Sequence, residues 1–377
     1  SIVMLFNVCA LYIKIMNNEN QTIHKSDDNL TIYGWNEKLN QLKQESIYST
    51  LAHGRVSIVH RTCYEVISGN GLFQCELTGN MMYGKSDDEL PCTGDWVIFQ
   101  PFDEHKGIIV DRLPRERTLY RKKSGTVADK QAIASYVDKA FIVQSLDDNF
   151  NVRRVERFMV QIMEENISSV LVLNKADLDF DRQSVEEQIK HISSQIPVFF
   201  TSIHQLETIV RLRKSISEGE TVVFVGSSGV GKSSLVNALC EKPVLLTSDI
   251  SLSTGKGRHT STRREMVLMD SSGVLIDTPG VREFGLAIDN PDSLAEVLEI
   301  SDYAELCRFK DCKHINEPGC AVIEAVNSGA LDSKVYASYL KLRREAWHFS
   351  ASEHEKRKKE KSFTKLVEEV KKRKANF

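Results

Sequence analysis

The nine residues Gly226-Ser227-Ser228-Gly229-Val230-Gly231-Lys232-Ser233-Ser234 follow directly on the apolar run Thr221–Val225 and lead into Leu235-Val236-Asn237-Ala238-Leu239. A β-rich run, a glycine loop closing in Gly-Lys-Ser and a helix-compatible stretch form the context that a phosphate-binding loop requires. The glycines let successive backbone N–H groups turn toward phosphate oxygens with no Cβ in the way. In such a loop Lys232 reaches the β- and γ-phosphates and the Ser233 hydroxyl ligates Mg2+. A second motif, Asp277-Thr278-Pro279-Gly280, closes the run Val274-Leu275-Ile276. An aspartate there can hold Mg2+ through a water, while the Gly280 N–H meets the γ-phosphate. Alone a DxxG says little, because Asp and Gly are common loop formers. Placed after a strand and downstream of a phosphate loop, it carries weight.

A third motif, Asn174-Lys175-Ala176-Asp177, follows the strand candidate Val170–Leu173. A carboxylate at that turn can accept hydrogen bonds from guanine N1–H and N2–H2, which adenine cannot supply. Such a site rejects the wrong base by leaving a buried polar group unpaired. In isolation Asp177 would be better explained as a helix cap at a strand–helix turn. Thr201-Ser202-Ile203, after the Phe199-Phe200 run, stands where a second base-contacting loop belongs. Together the motifs imply a guanine-nucleotide site. Their order is unusual, because in Ras-like GTPases the phosphate loop comes first and NKxD later. Here the same sheet can be assembled only from a circularly permuted chain. The segment that senses the γ-phosphate is then joined directly to whatever lies C-terminal.

That C-terminal part carries Cys307-x4-Cys312-x-His314-x5-Cys320. Three thiolates and an imidazole make a closed tetrahedral set suited to one structural Zn2+, with no open position for catalysis. The other five of the eight cysteines, Cys9, Cys63, Cys75, Cys92 and Cys240, are scattered. This layout favours a reducing compartment over a secreted disulfide framework.

The elements that must position these motifs show in the periodicity. The 377 residues are enough for two or three domains, and a formal charge of −3 with 27% charged residues gives no whole-chain pull toward a polyanion. The apolar N-terminal stretch is too short for a membrane span and lacks signal-peptide features. Residues 1–33 are expected to be an unassigned, disordered extension, with the first fifteen an upstream addition or fragment edge. An amphipathic helix is expected over 34–50, with Trp35, Leu39, Leu42 and Ile47 on one face. Five short strands between turn signals (56–59, 64–67, 72–77, 96–99 and 107–110) predict a small β-barrel over 51–114, of the oligonucleotide-binding (OB) or SH3-like kind. Residues 115–138 are polar and basic and read as a linker. From 139 to 289, buried-strand runs alternate with helical stretches, the signature of a parallel sheet covered by helices on both faces. Residues 290–377 read as a mostly helical zinc-binding domain. It ends in a helix bearing Lys356-Arg357-Lys358-Lys359 and Lys371-Lys372-Arg373-Lys374, runs suited to sequence-blind phosphate contacts.

The permuted motif order, the Gly-Lys-Gly-Arg-His-Thr loop (255–260), Asp277–Gly280 and the Cys307/Cys312/His314/Cys320 cluster resemble the bacterial small-subunit-dependent GTPases of the RsgA (YjeQ) type, over roughly residues 50–375. The resemblance implies a multidomain α/β protein with an OB barrel, a permuted Ras-like P-loop GTPase domain and a C-terminal zinc domain. It implies a cytoplasmic, monomeric enzyme that binds GTP and GDP with Mg2+ and contacts the small ribosomal subunit and its RNA, with no membrane partner. The activity implied is GTP hydrolysis during late maturation of that subunit, stimulated by the subunit. By position, Asn174, Lys175 and Asp177 would read guanine and Thr260 would ligate Mg2+. Val281 stands where Ras-type enzymes carry a water-orienting glutamine, so intrinsic turnover is expected to be slow. His259 is the local candidate for orienting the water. Two competing readings remain: an RNA-binding assembly checkpoint in which GTP mainly switches affinity, and an unrelated RNA-linked P-loop NTPase.

Overall fold

The computed structural model describes residues 29–82, 86, 88–122, 130–240, 265–269, 273–277 and 291–350. The expectations for residues 1–28, for His259, Thr260, Gly280 and Val281, and for the basic C-terminal runs lie outside the described residues.

Strands β1 (Ala52–Val59), β2 (Tyr64–Ser68), β3 (Gly71–Leu77), β4 (Trp96–Asp103) and β5 (Lys106–Arg112) pair as a ring, β1-β2-β3-β5-β4-β1. Only β3 and β5 run parallel; the other four pairings are antiparallel. A five-stranded Greek-key ring of this kind is the OB arrangement, which decides between the two barrels expected. Alternating residues Val56, Val66, Phe73, Cys75, Val97, Phe99 and Ile109 fill its interior. The preceding helix is shorter than the 34–50 expected, spanning Glu37–Glu45 with the Asn36 side chain capping the Leu39 N–H at 3.1 Å. Trp35 and Leu39 pack on Trp96, Ile98 and Leu113. Ile47 follows the cap residue Ser46, leaves the helical face and is exposed.

Within the stretch expected to be a plain linker, β6 (Leu119–Lys122) and β7 (Lys130–Ala134) form an antiparallel pair. Leu119, Ile133, Ala134 and Val137 are fully buried in the core of the following sheet. The dense charge around them hid a short alternation that becomes a strand once there is a core to cover. Next come β8 (Lys139–Ser145), β9 (Ser168–Asn174), β10 (Val198–Thr201), β11 (Thr221–Val225), β12 (Glu265–Leu268) and β13 (Val274–Asp277). They lie in the order β10-β9-β8-β11-β13-β12, all parallel except β12. One sheet face, with Ala140, Ile142, Leu171, Leu173, Val223 and Val225, packs on helix Val152–Glu164 through Val155, Phe158, Met159 and Ile162. The other, with Phe141, Val143, Val170, Val172, Val222 and Phe224, packs on helices Leu206–Lys214 and Lys232–Leu239. Apolar residues on both faces explain why these strands read as continuous hydrophobic runs.

Strand β12 was not anticipated. It pairs with β13 and, through Ile58↔Glu265, with β1, so barrel and sheet form one eleven-stranded ladder. Helices Pro291–Val297, Ala321–Ser328 and Ser333–Ser350 bring Leu294, Val297, Val322, Tyr339 and Leu342 into the same core as helix Val152–Glu164.

Candidate functional site

The glycine loop leaves β11, whose five residues are all buried. Gly226 and Gly231 have φ of 151° and 92°. A Cβ on Gly226 would lie 2.4 Å from the Val143 carbonyl oxygen, and one on Gly231 2.3 Å from the Asn174 amide nitrogen. Both positions therefore require glycine, for conformation and for space. Helix Lys232–Leu239 starts immediately after Gly231, so its free N–H groups and the positive end of its dipole face the loop, a ready anion site. Lys232 Nζ donates to the Gly226 and Ser227 carbonyls at 2.7 Å each, which arches the ammonium over the loop.

Asn174, at the end of β9 and 3% exposed, uses its amide inside the protein at both ends. Nδ2 donates to the Val230 carbonyl at 2.9 Å and Oδ1 accepts from the Thr201 hydroxyl at 3.3 Å. The Ala176 N–H donates to the Thr201 carbonyl at 3.0 Å, and the Leu146 N–H to the Asn174 carbonyl at 2.9 Å. The ends of β8, β9 and β10 and the phosphate loop thus meet at one residue. Lys175 sits at φ 62° with Nζ 2.8 Å from Asp147 Oδ2. The Asp177 carboxylate is exposed, and a hydrogen bond from the Ser202 side chain holds it below the ordinary carboxylate range. Ser202 is itself buried; its N–H donates to Thr208 Oγ1 at 3.0 Å, and the Thr208 hydroxyl reaches the Gln205 carbonyl at 2.7 Å. Asp277 ends β13, the neighbour of β11 in the register Val223↔Ile276. Asn174–Asp177, Thr201, Ser202 and Gly226–Ser234 therefore share the C-terminal edge of one parallel sheet, where α/β folds bind their ligands. The sequence reasoning missed Asp147 and Thr208, which hold Lys175 and Ser202. Their only signal was a position just beyond a strand end and just inside the next helix.

Cys307, Cys312, His314 and Cys320 converge, with one ligand atom from each lying within 4.8 Å of all the others. Cys307 Sγ is 3.5 Å from His314 Nδ1 and 3.9 Å from Cys320 Sγ, and His314 Nδ1 is 3.4 Å from Cys320 Sγ. Tetrahedral Zn2+ with Zn–S of about 2.3 Å and Zn–N of about 2.0 Å sets neighbouring ligand atoms about 3.5–3.8 Å apart. The donor set fits that ion. His314 is presented from a left-handed backbone (φ 54°), and its carbonyl accepts from the Tyr336 hydroxyl at 2.6 Å. Burial lowers the His314 imidazole and so favours the neutral form that binds metal.

Among the described residues no helix is long and apolar enough to cross a membrane. A family model described as RsgA GTPase matches residues 112–287. The small ribosomal subunit biogenesis GTPase RsgA 1 of Bacteroides thetaiotaomicron is 76% identical over 362 residues, covering 96% of this chain and 100% of that protein. The RsgA protein of Methanosarcina acetivorans is 38% identical, covering 87% of this chain and 89% of its own length. Among solved structures, YjeQ from Thermotoga maritima superposes with a TM-score of 0.60 at 26% identity, covering 78% of this chain and 98% of the other. YloQ, described as a circularly permuted GTPase, does so at 0.59 and 22% identity, covering 82% and 99%, and supports the fold alone.

Proposed function

Because the chain belongs to the RsgA GTPase family, we propose that it is a GTPase of small ribosomal subunit biogenesis, hydrolysing GTP to GDP and phosphate in late maturation under stimulation by the subunit. The observation that carries this reading is the 2.9 Å bond from Asn174 to Val230, which brings the two motifs together although their sequence order is reversed. In this reading Gly226–Ser234 hold the phosphates, Asp177 reads the base with Lys175 beside it, and the Ser202 loop braces Asp177. Ser233, Thr260 and Asp277 would hold Mg2+, which supplies charge neutralisation at the β- and γ-phosphates. Cys307, Cys312, His314 and Cys320 would hold one structural Zn2+. His259 would orient the attacking water. The domain division that goes with this function is the barrel over 51–114, the GTPase domain over 139–289 and the zinc domain from 290. Ribosomal RNA is the partner we assign to the flanking domains, with the protein acting as a cytoplasmic monomer. GTP turnover with and without purified small subunits, run beside Asp177→Asn, is the test. Equal rates in both conditions would sink the assignment, as would undiminished GTP binding by the variant.

A further inference from the structure

The loop after β8 carries a carboxylate that none of the nucleotide motifs accounts for. Asp147 Oδ1 accepts from the Ser145 hydroxyl at 2.7 Å and from the Asn149 N–H at 3.0 Å, leaving Oδ2 for Lys175 Nζ at 2.8 Å. The loop is tied to the Asn174–Asp177 turn a second time, by the Leu146 N–H to the Asn174 carbonyl. Lys175 has little freedom of its own. The Asn174 side chain bonds to the phosphate loop on one side, and the Ala176 N–H bonds to Thr201 on the other. Its own φ of 62° is one that a lysine keeps only where its surroundings hold it. With the backbone fixed and the ammonium fixed, the four-carbon stem between them is fixed as well. An ion pair this exposed (34% for Lys175, 24% for Asp147) adds little stability. Its value lies in direction, because the carboxylate is itself anchored twice.

Resting on the reading of Asn174–Asp177 as the guanine-reading turn, we propose that Asp147 is a positioning residue for guanine nucleotides. It holds the ammonium of Lys175 so that the lysine methylenes form a preset apolar wall against one face of the purine. Because the lysine has already given up its rotamer freedom in the free protein, that cost does not fall on nucleotide binding. The carboxylate is available for this at any working pH. Burial would raise it, but hydrogen bonds from Lys175, Ser145 and Asn149 bring it down to about 2.

The test is a double-mutant cycle on the full chain, reading the Kd and koff of a fluorescent N-methylanthraniloyl GTP with Mg2+. Asp147→Asn should raise Kd about threefold to tenfold, mainly through koff, the rate in which affinity changes usually appear. It should leave the melting temperature of the free protein within a few degrees. Lys175→Met should weaken binding at least as much, and Asp147→Asn should then add nothing in the Lys175→Met background. A purely structural contribution would persist in both backgrounds. Equal losses in the two backgrounds, or an unchanged Kd for Asp147→Asn, would overturn the proposal. Asp177→Asn assayed with xanthosine triphosphate separates the two ideas, since xanthine offers a carbonyl where guanine offers an amino group. If that variant does not trade GTP for xanthosine triphosphate, the guanine reading itself falls and takes the Asp147 role with it. If it does, the cycle alone decides Asp147.

Discussion

Asn174 joins pieces of chain more than fifty positions apart, and removing its amide should show what that join contributes. Asn174→Ala leaves the Val230 carbonyl without its 2.9 Å donor and Thr201 without its side-chain acceptor. A buried polar group left unpaired costs about 1–3 kcal/mol, so denaturant unfolding of the free protein should shift by that much, with GTP affinity falling at least about tenfold. Gly231→Ala tests the same contact from the other side, because its methyl carbon would collide with that amide at 2.3 Å. It should abolish nucleotide binding while the barrel stays folded, as seen by circular dichroism and nucleotide fluorescence. The role proposed for His259 is tested separately: His259→Ala should lower subunit-stimulated turnover about a hundredfold or more, in line with loss of a general-base or water-orienting group, and leave the GTP Kd unchanged. Unaltered stimulated turnover would remove His259 from the reaction. At this scale the motif residues were legible because phosphate and guanine chemistry admit few residue types. Asp147 and Thr208 were not, because a lone Asp or Thr beside a strand end has many ordinary uses.

Arg55, on β1, connects the barrel to the nucleotide-binding sheet. Its guanidinium is 1% exposed and donates to the carbonyls of Gly94 (3.0 Å) and Tyr33 (2.5 Å) and to the Thr221 hydroxyl (2.8 Å). Longer bonds reach the carbonyls of Ser135 (3.5 Å) and Tyr136 (3.4 Å). Thr221 is the first residue of the strand that delivers the phosphate loop. Burial lowers the Arg55 guanidinium to about 10, yet it stays charged at neutral pH. Arg55→Met would strand several of these acceptors at once, for a predicted loss of about 3 kcal/mol or more in chemical denaturation. A loss under about 1 kcal/mol would mean that the interface does not depend on it. Beside it, the His53 ring packs tilted against Trp35 with centroids 4.1 Å apart, and burial lowers its imidazole to about 3. The unfolded chain takes up this proton near pH 6.5, whereas the folded chain refuses it until about pH 3. Stability should therefore fall as pH drops through that window, by at most about 1.4 kcal/mol per pH unit, and be indifferent to His53 above it. His53→Phe should flatten that part of the profile. The barrel strands were legible as short apolar runs between turn signals; β2, β3 and β5 also alternate between buried and more exposed residues, whereas β1 and β4 carry continuous buried stretches. Strands β6, β7 and β12 were not: β6 and β7 pair locally with each other and β12 with the nearby β13, but these are short segments that gain strand structure by packing on elements distant in sequence.

The module carrying the Cys/His cluster and the GTPase sheet are continuous in their packing. Leu294, Val297, Val322, Tyr339, Leu342 and buried Cys320 share one core with Val155, Met159, Leu171 and Val225. Arg157 on the sheet-covering helix pairs with Glu345 at 2.8 Å, and the Gln195 amide donates to the Val297 carbonyl at 2.9 Å. The Cys307/Cys312/His314/Cys320 cluster closes a segment whose described helices are short, Ser301–Ala304 and Ala321–Ser328, so metal ligation is what would hold that segment against the long helix behind it. Burial pushes the Cys320 thiol up to about 12; a bound divalent cation overrides that preference by favouring the thiolate. Were the module merely tethered, losing its metal would melt it alone and leave the nucleotide-binding sheet untouched. A shared core predicts otherwise: chelation, or Cys320→Ser, should lower the melting temperature of the nucleotide-binding part as well. Several kcal/mol lost from a cooperative unit of this size corresponds to about 10 °C. Calorimetry of the zinc-loaded and stripped protein, with metal content measured alongside, should show the main transition moving with the metal. A main transition that keeps its temperature while a small one disappears would show two independent units, and the permuted order would then provide no packed route from the γ-phosphate sensor to the C-terminal domain.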